Sequence, residues 1–214
     1  GRGGEGRGGE VLDSIPGHLT PAAERTVRQV QEMSGGRGRR AEAGGGPVAG
    51  PLEFVRRQGG ELVVGERNES FWIVGTNSYY LMEHASESES WLSRQVVTET
   101  FEAAQALGLN TMRTWAFNDG KLMTSPGVYN ETWFRALDFV VAEAERHGQK
   151  LILTLTNFWN AYGGMQQYVM WHNNASELEG LRIDQFYTSP EIRRMFEANF
   201  EALANRRNTI TGRV

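Results

Sequence analysis

Three times between residues 71 and 204, a short apolar run gives way to a longer stretch whose apolar residues return every three or four positions. This alternation constrains the fold more than any other feature. A strand followed by a helix, repeated, satisfies its backbone in a parallel sheet with helices packed on it. The first run is Phe71-Trp-Ile-Val-Gly-Thr-Asn77, and the helix predicted over Trp91 to Leu107 puts Val97, Phe101 and Ala104 on one face, with Gly108 at its end. The second strand, Leu109 to Trp115, leads through Pro126-Gly127 to a helix over 131–147, with Phe134, Leu137, Val141 and Ala144 inward and Gly148 as its stop. The third, Lys150 to Thr156, is nearly all apolar, as strands buried on both faces are; its helix opens at Ser189-Pro190, with Ile192, Phe196 and Leu203 facing inward. Ahead of the series, Phe54-Val55 and Leu62-Val63-Val64 flank Gly59-Gly60 and read as a β-hairpin.

A doubly wound sheet and a (β/α)8 TIM barrel both fit such a series. No glycine-rich phosphate turn joins the first strand to its helix, as a nucleotide-binding doubly wound fold would have. Polar and aromatic side chains collect instead where the strands end: Asn77, Tyr79 and Tyr80, then Arg113, Trp115, Asn118 and Asp119, then Asn157, Phe158 and Trp159. Strand ends form the active face of a barrel. The predicted fold is therefore an α/β barrel, with residues 51–214 supplying an N-terminal hairpin and about the first three βα units.

Residues 1–50 are a different material. They hold 14 of the 26 glycines, begin with the pentapeptide Gly-Arg-Gly-Gly-Glu written twice, and read as a disordered leader. Thr20-Pro21 could open a short helix within it, marginal on its own. Arg-Gly-Gly segments can track RNA, but seven arginines here face six acidic residues, so no nucleic-acid partner is expected. No run approaches the roughly 18 apolar residues of a membrane span. Zero cysteines exclude disulfides and thiolate metal sites. His18, His84, His147 and His172 show no ligand spacing, so surface or capping roles are expected and no metal.

Within the strand Asn110 to Trp115, alternation puts Arg113 and Trp115 on one face. A buried guanidinium needs a carboxylate partner, so Arg113 reads either as half of a structural salt bridge or as an active-site residue. Trp115, Trp159, Trp171, Tyr79, Tyr80 and Tyr168 have flat faces suited to sugar rings, and their clustering at strand ends favours a groove over a core role. Gly163 to His172 reads as a long aromatic loop walling that groove. Glycoside hydrolysis needs two carboxyl groups, and Glu83 and Asp119 are the acids nearest the first two strand ends, though loop carboxylates are usually just solvated. Sequons at Asn68, Asn130 and Asn174 lean towards secretion, with Asn130 competing as a helix N-cap.

Longer motifs carry a family resemblance. Phe71-Trp-Ile-Val-Gly-Thr-Asn-Ser-Tyr-Tyr-Leu-Met82, Thr111-Met-Arg-Thr-Trp-Ala-Phe-Asn-Asp-Gly120, Leu151-Ile-Leu-Thr-Leu-Thr-Asn-Phe-Trp159 and Asn208-Thr-Ile-Thr-Gly212 resemble plant-type mannan endo-1,4-β-mannosidases of glycoside hydrolase family 5, colinearly from about residue 53 to 212. The resemblance implies a (β/α)8 barrel, retaining hydrolysis of internal β-1,4-mannosidic bonds in a mannan-type polysaccharide, no cofactor, and a secreted or wall-associated setting. It implies that Arg113 supports a nucleophilic glutamate, that Trp115 contacts substrate, and that Tyr79, Asn157 and Trp159 line the cleft. The family's acid/base glutamate, in an Asn-Glu-Pro motif, and its nucleophile both lie beyond the segment matching Asn208 to Gly212. The chain ends at Val214, so no catalytic residue is assigned. The chain alone is expected to be inactive, and poorly soluble or oligomeric. Another β-1,4-glycan such as cellulose, or a non-catalytic carbohydrate-binding role, remains an alternative.

Overall fold

Gly59, at φ +60°, takes the left-handed conformation that a two-residue hairpin turn requires, and with Gly60 it reverses the chain between β1 (Arg56–Gln58) and β2 (Glu61–Val64). The structure, a computed structural model, describes residues 53–214. The predicted leader, its short helix and His18 lie outside the described residues. The hairpin forms, but its first strand is Arg56–Gln58 rather than Phe54-Val55, because a two-residue turn pairs Gln58 with Glu61 and hence Arg56 with Val63. Phe54 is left largely exposed. A short β3 (Glu69–Ser70) adds a third antiparallel strand on β2.

Three parallel strands follow in the order β4 (Gly75–Asn77), β5 (Thr111–Trp115), β8 (Lys150–Thr154). Register pairs Asn77 with Arg113 and Arg113 with Ile152. The first connection carries α1 (Leu81–Ser86) and α2 (Arg94–Ala106). The second carries a small hairpin, β6 (Met123–Ser125) and β7 (Val128–Tyr129), and α3 (Glu131–Arg146). After β8 come α4 (Met165–Asn173), α5 (Gln185–Thr188) and α6 (Pro190–Ala204).

The helices begin and end where local chemistry directs. Ser93 and Asn130 accept the backbone N–H of Gln95 and Thr132, and Ser189 that of Ile192 with Pro190 in the first turn. Each such cap is worth about 1 kcal/mol. Past α2, Gly108 donates to Gln105 O and Leu109 to Ala104 O; past α3, Gly148 donates to Glu145 O and Gln149 to Ala144 O. Both are Schellman closures. They need the left-handed φ that Gly108 and Gly148 take, +72° and +68°.

The main core lies between the sheet and α1 to α3, where Val97, Phe101 and Ala104 meet Met112, Leu81, Trp133, Phe134 and Val140. A second, smaller core gathers Met123, Tyr168, Val169 and Ile192, with Trp171, Phe186 and Phe196 packed against it. Here two expectations are corrected. Gly163 to His172 is largely helix α4, Tyr168 is a core residue and Trp171 packs against that core; the Tyr168 hydroxyl is satisfied by Asn199 Nδ2 at 2.9 Å. A buried aromatic with a polar tip is stable when that tip finds a partner.

Strand β8 is not buried on both faces: Ile152 and Leu153 are 42% and 38% exposed. Among the described residues it pairs with β5 alone, so it is a sheet edge. An open groove beside it is lined by Leu151, Leu153, Leu155, Val141, Phe200 and Leu203.

Residues 205–214 are tied to α3. Arg206 donates from Nε and Nη2 to the Asp138 carboxylate at 2.9 and 2.8 Å, and Thr209 donates to Asp138 from backbone and hydroxyl. Burial alone would raise Asp138; these hydrogen bonds from Arg206 and Thr209 outweigh it and hold the carboxyl below the usual range.

Candidate functional site

Alternation along β5 sends Met112 and Thr114 to the buried, helix-covered side and Arg113 and Trp115 to the other. Arg113 is therefore not a buried guanidinium. It is exposed, its Nη1 donates to Asn77 Oδ1 at 3.5 Å, and no carboxylate ion-pairs with it among the described residues. The structural salt-bridge reading finds no partner among the described residues, where the Arg113 guanidinium reaches Asn77 and no carboxylate.

Trp115, half-buried, has three ring neighbours. Tyr79 lies 4.9 Å away at 45°, Phe117 5.0 Å at 36°, and Tyr162 4.9 Å at 84°, edge to face. Tyr79 is 50% exposed and Tyr162 half-buried, so the cluster has an open side. Such an arrangement holds one flat apolar face at a wet boundary. Sequence reasoning misses Tyr162; the available signal is a tyrosine directly before Gly163-Gly164 in the loop after β8.

The other predicted site residues divide. Asn157 organises the loop after β8: its Nδ2 donates to Ala161 O at 3.1 Å, its carbonyl accepts Met165 N–H at 3.0 Å, and its Oδ1 is buried without a partner. Trp159 is 72% exposed and packs edge-on to Phe158, apart from the Trp115 cluster. Tyr80 is partly buried against the main core.

The two acids considered as a pair sit in different settings. Glu83, on α1, accepts the Tyr162 hydroxyl. Asp119 is buried, and its carboxyl is pushed up to about 8 by that burial, opposed by the backbone N–H of Gly164. Its Oδ2 has no partner. Asp119 is thus protonated at neutral pH and holds the loop through its own backbone, donating N–H to Tyr162 O at 2.9 Å.

The three described histidines pack or cap. His84 meets Tyr80 and Trp91 edge-on, His147 caps α3 beside Glu143, and His172 lies in the last turn of α4. Asn130 caps α3 as expected, whereas Asn68 and Asn174 are exposed at left-handed turns. Among the described residues no cluster of acids and histidines could hold a metal ion, and no helix is long and apolar enough to cross a membrane.

Fold and site together define a class: repeated βα units in which the strand ends carry an open-sided aromatic cluster beside an exposed arginine. Within that class, the family described as "GH family 5 beta-mannosidase-like" matches residues 52–214, and the chain belongs to it. It is 43% identical over 166 residues to "Putative mannan endo-1,4-beta-mannosidase 5" of Oryza sativa subsp. japonica, covering 76% of this chain and 33% of that protein. It is 42% identical over 170 residues to "Mannan endo-1,4-beta-mannosidase 2" of Arabidopsis thaliana, covering 76% and 37%. The chain thus spans about a third of the length of these relatives. The solved glycoside hydrolase family 5 mannosidase from Rhizomucor miehei matches with a TM-score of 0.68 at 24% identity, over 76% of this chain and 45% of that one, so the two share a fold.

Proposed function

We propose that residues 53–214 form the first βα units of a (β/α)8 barrel and one side of the glycan cleft of an endo-1,4-β-mannanase, which cleaves internal β-1,4-mannosidic bonds in mannans with retention. The observation that carries this reading is the open face of β5, where an exposed Arg113 stands beside an aromatic cluster built on Trp115. A chain about 42% identical to proteins named for that activity supports the substrate class.

In this reading Trp115, with Tyr79 at its side, stacks on the C–H face of a pyranose. Arg113 and Asn77 offer donors at the cleft floor, and the free guanidinium charge is available to a carboxylate brought to this face. Retaining hydrolysis needs two carboxyls about 5 Å apart. Glu83 and Asp119 do not serve as that pair, one being hydrogen-bonded to a phenol and the other sealed and neutral. Asn157 shapes the cleft through its loop, and Trp159 offers an outlying stacking face. We further propose a secreted or wall-associated setting, to which the exposed sequons at Asn68 and Asn174 lend support.

The test is titration of the chain with mannotetraose and cellotetraose, followed by tryptophan fluorescence. Binding of the mannan oligomer, weakened about tenfold or more in Trp115→Ala, is the expected result. Preference for the cello-oligomer would move the substrate to another β-1,4-glycan, and no binding by either would remove the cleft assignment.

A further inference from the structure

Tyr162 is held in a conformation that a bulky side chain rarely adopts. Its φ is +63°, and Gly163 and Gly164 follow at +83° and +65°. Glycine takes left-handed angles freely, whereas a tyrosine there is strained and persists only where its surroundings leave no alternative. Those surroundings are specific. A Cβ on Gly163 would lie 2.5 Å from Asp119 O, and one on Gly164 would lie 2.2 Å from Asn157 Oδ1, so both glycines are pressed against neighbours that no side chain could share. The Asp119 N–H donates to Tyr162 O at 2.9 Å. At the far end of the side chain, the phenol donates to Glu83 on α1.

This clamping delivers a ring edge to one place. Tyr162 meets the Trp115 indole edge to face at 4.9 Å and 84°, and Tyr79 at 6.2 Å and 87°. Backbone fixation and ring contact come from the segment Trp115 to Asp119, and the hydrogen-bonded tip from α1. A strained tyrosine held beside the Trp115 cluster fits pre-organisation of that cluster.

We propose that Tyr162, braced by Glu83, is a positioning residue that sets the orientation of the Trp115 indole and thereby the tightness with which the cleft stacks a β-linked pyranose. The sugar half of this statement rests on the glycan-cleft reading above; the bracing of Trp115 does not.

The experiment uses the full chain and the Trp115 indole N–H resonance, assigned by its loss in Trp115→Phe. Tyr162→Phe keeps the ring and removes the phenol bond; Glu83→Leu removes the acceptor; Glu83→Gln keeps an oxygen that can still accept the phenol proton. Without sugar, Tyr162→Phe and Glu83→Leu are expected to shift or broaden the Trp115 resonance, and Glu83→Gln to restore it. With mannotetraose, each of the first two is expected to weaken binding about three- to tenfold, and their combination no further, since they break one shared bond. A Trp115 resonance indifferent to both variants would overturn the positioning role whatever the sugar does. A resonance that responds to the variants, together with no response of the wild-type chain to the sugar, would overturn the glycan cleft and leave the brace standing. If Glu83→Leu fails to fold, Tyr162→Phe alone decides.

Discussion

Adjacent residues on one strand belong to two different regions of this molecule. On the helix-covered side of β5, Met112 has no exposed surface and packs with α1 to α3; one residue on, Arg113 is exposed and lacks a carboxylate partner among the described residues. The covered side gains its stability from apolar contact and tolerates little change. The open side is organised by ring edges and single hydrogen bonds, which orient side chains at small cost to stability. An element can therefore be rigid on one face and available to a ligand on the other.

The largest test of this contrast is Phe101→Ala in the covered core, expected to lower unfolding free energy by about 3–5 kcal/mol. Trp159→Ala on the open side should cost less than about 0.5 kcal/mol in the same denaturant titration. Equal losses would break the distinction.

Next, Asp138→Ala should destabilise by about 3 kcal/mol, since it leaves Arg206 and Thr209 without their shared acceptor. Because the folded carboxyl is lowered, its contribution is present above the unfolded carboxylate range and is lost as pH falls through the folded value. Acid titration of wild type and variant should therefore converge.

Asp119 has the opposite sign. Its folded value of about 8 lies above the ordinary 3.8, so its folded state holds a proton that its unfolded state has released. Its influence is most favourable below the unfolded value and erodes as pH rises through about 8, at no more than about 1.4 kcal/mol per pH unit. Asp119→Asn, which cannot ionise, should flatten that slope and gain about 1–3 kcal/mol at pH 8. Unfolding measured at pH 5 and 8 checks it; a variant with the wild-type slope would refute the buried neutral acid.

A smaller stability change than in the core, about 1 kcal/mol, is expected for Trp115→Ala, set beside the larger effect proposed for it on oligosaccharide binding. Thermal unfolding beside the binding titration makes the comparison. A Trp115→Ala chain as unstable as Phe101→Ala would place this ring in the core, not in the cleft.

Residues 94–106 and 131–146 were legible as helices because both the 3.6-residue period and the closing glycines are written locally. Arg113 and Trp115 were assigned to one face for the same kind of reason. The misses are of another kind. Helix α1 is six residues long, too short to show a period. Helix α4 was read as a groove wall because Tyr168 and Trp171 look alike in a core and in a cleft until their neighbours are known. The apolar run Lys150 to Thr156 reads as buried on both faces, yet Ile152 and Leu153 are exposed, and among the described residues only β5 pairs with β8. Tyr162 went unremarked because its importance lies in contacts with Glu83 and Trp115, 79 and 47 positions away along the chain.

The sequence by itself determined the order of βα units, the caps that bound the helices, and the two-residue alternation that separates Arg113 from Met112. These are properties of neighbouring residues. The tertiary structure decided which aromatics are core and which stand at the open face of β5, why burial raises the Asp119 carboxyl, and where the strained Tyr162 ring comes to rest. Burial, desolvation and ring contact depend on residues far apart in the chain, and no local pattern encodes their sum.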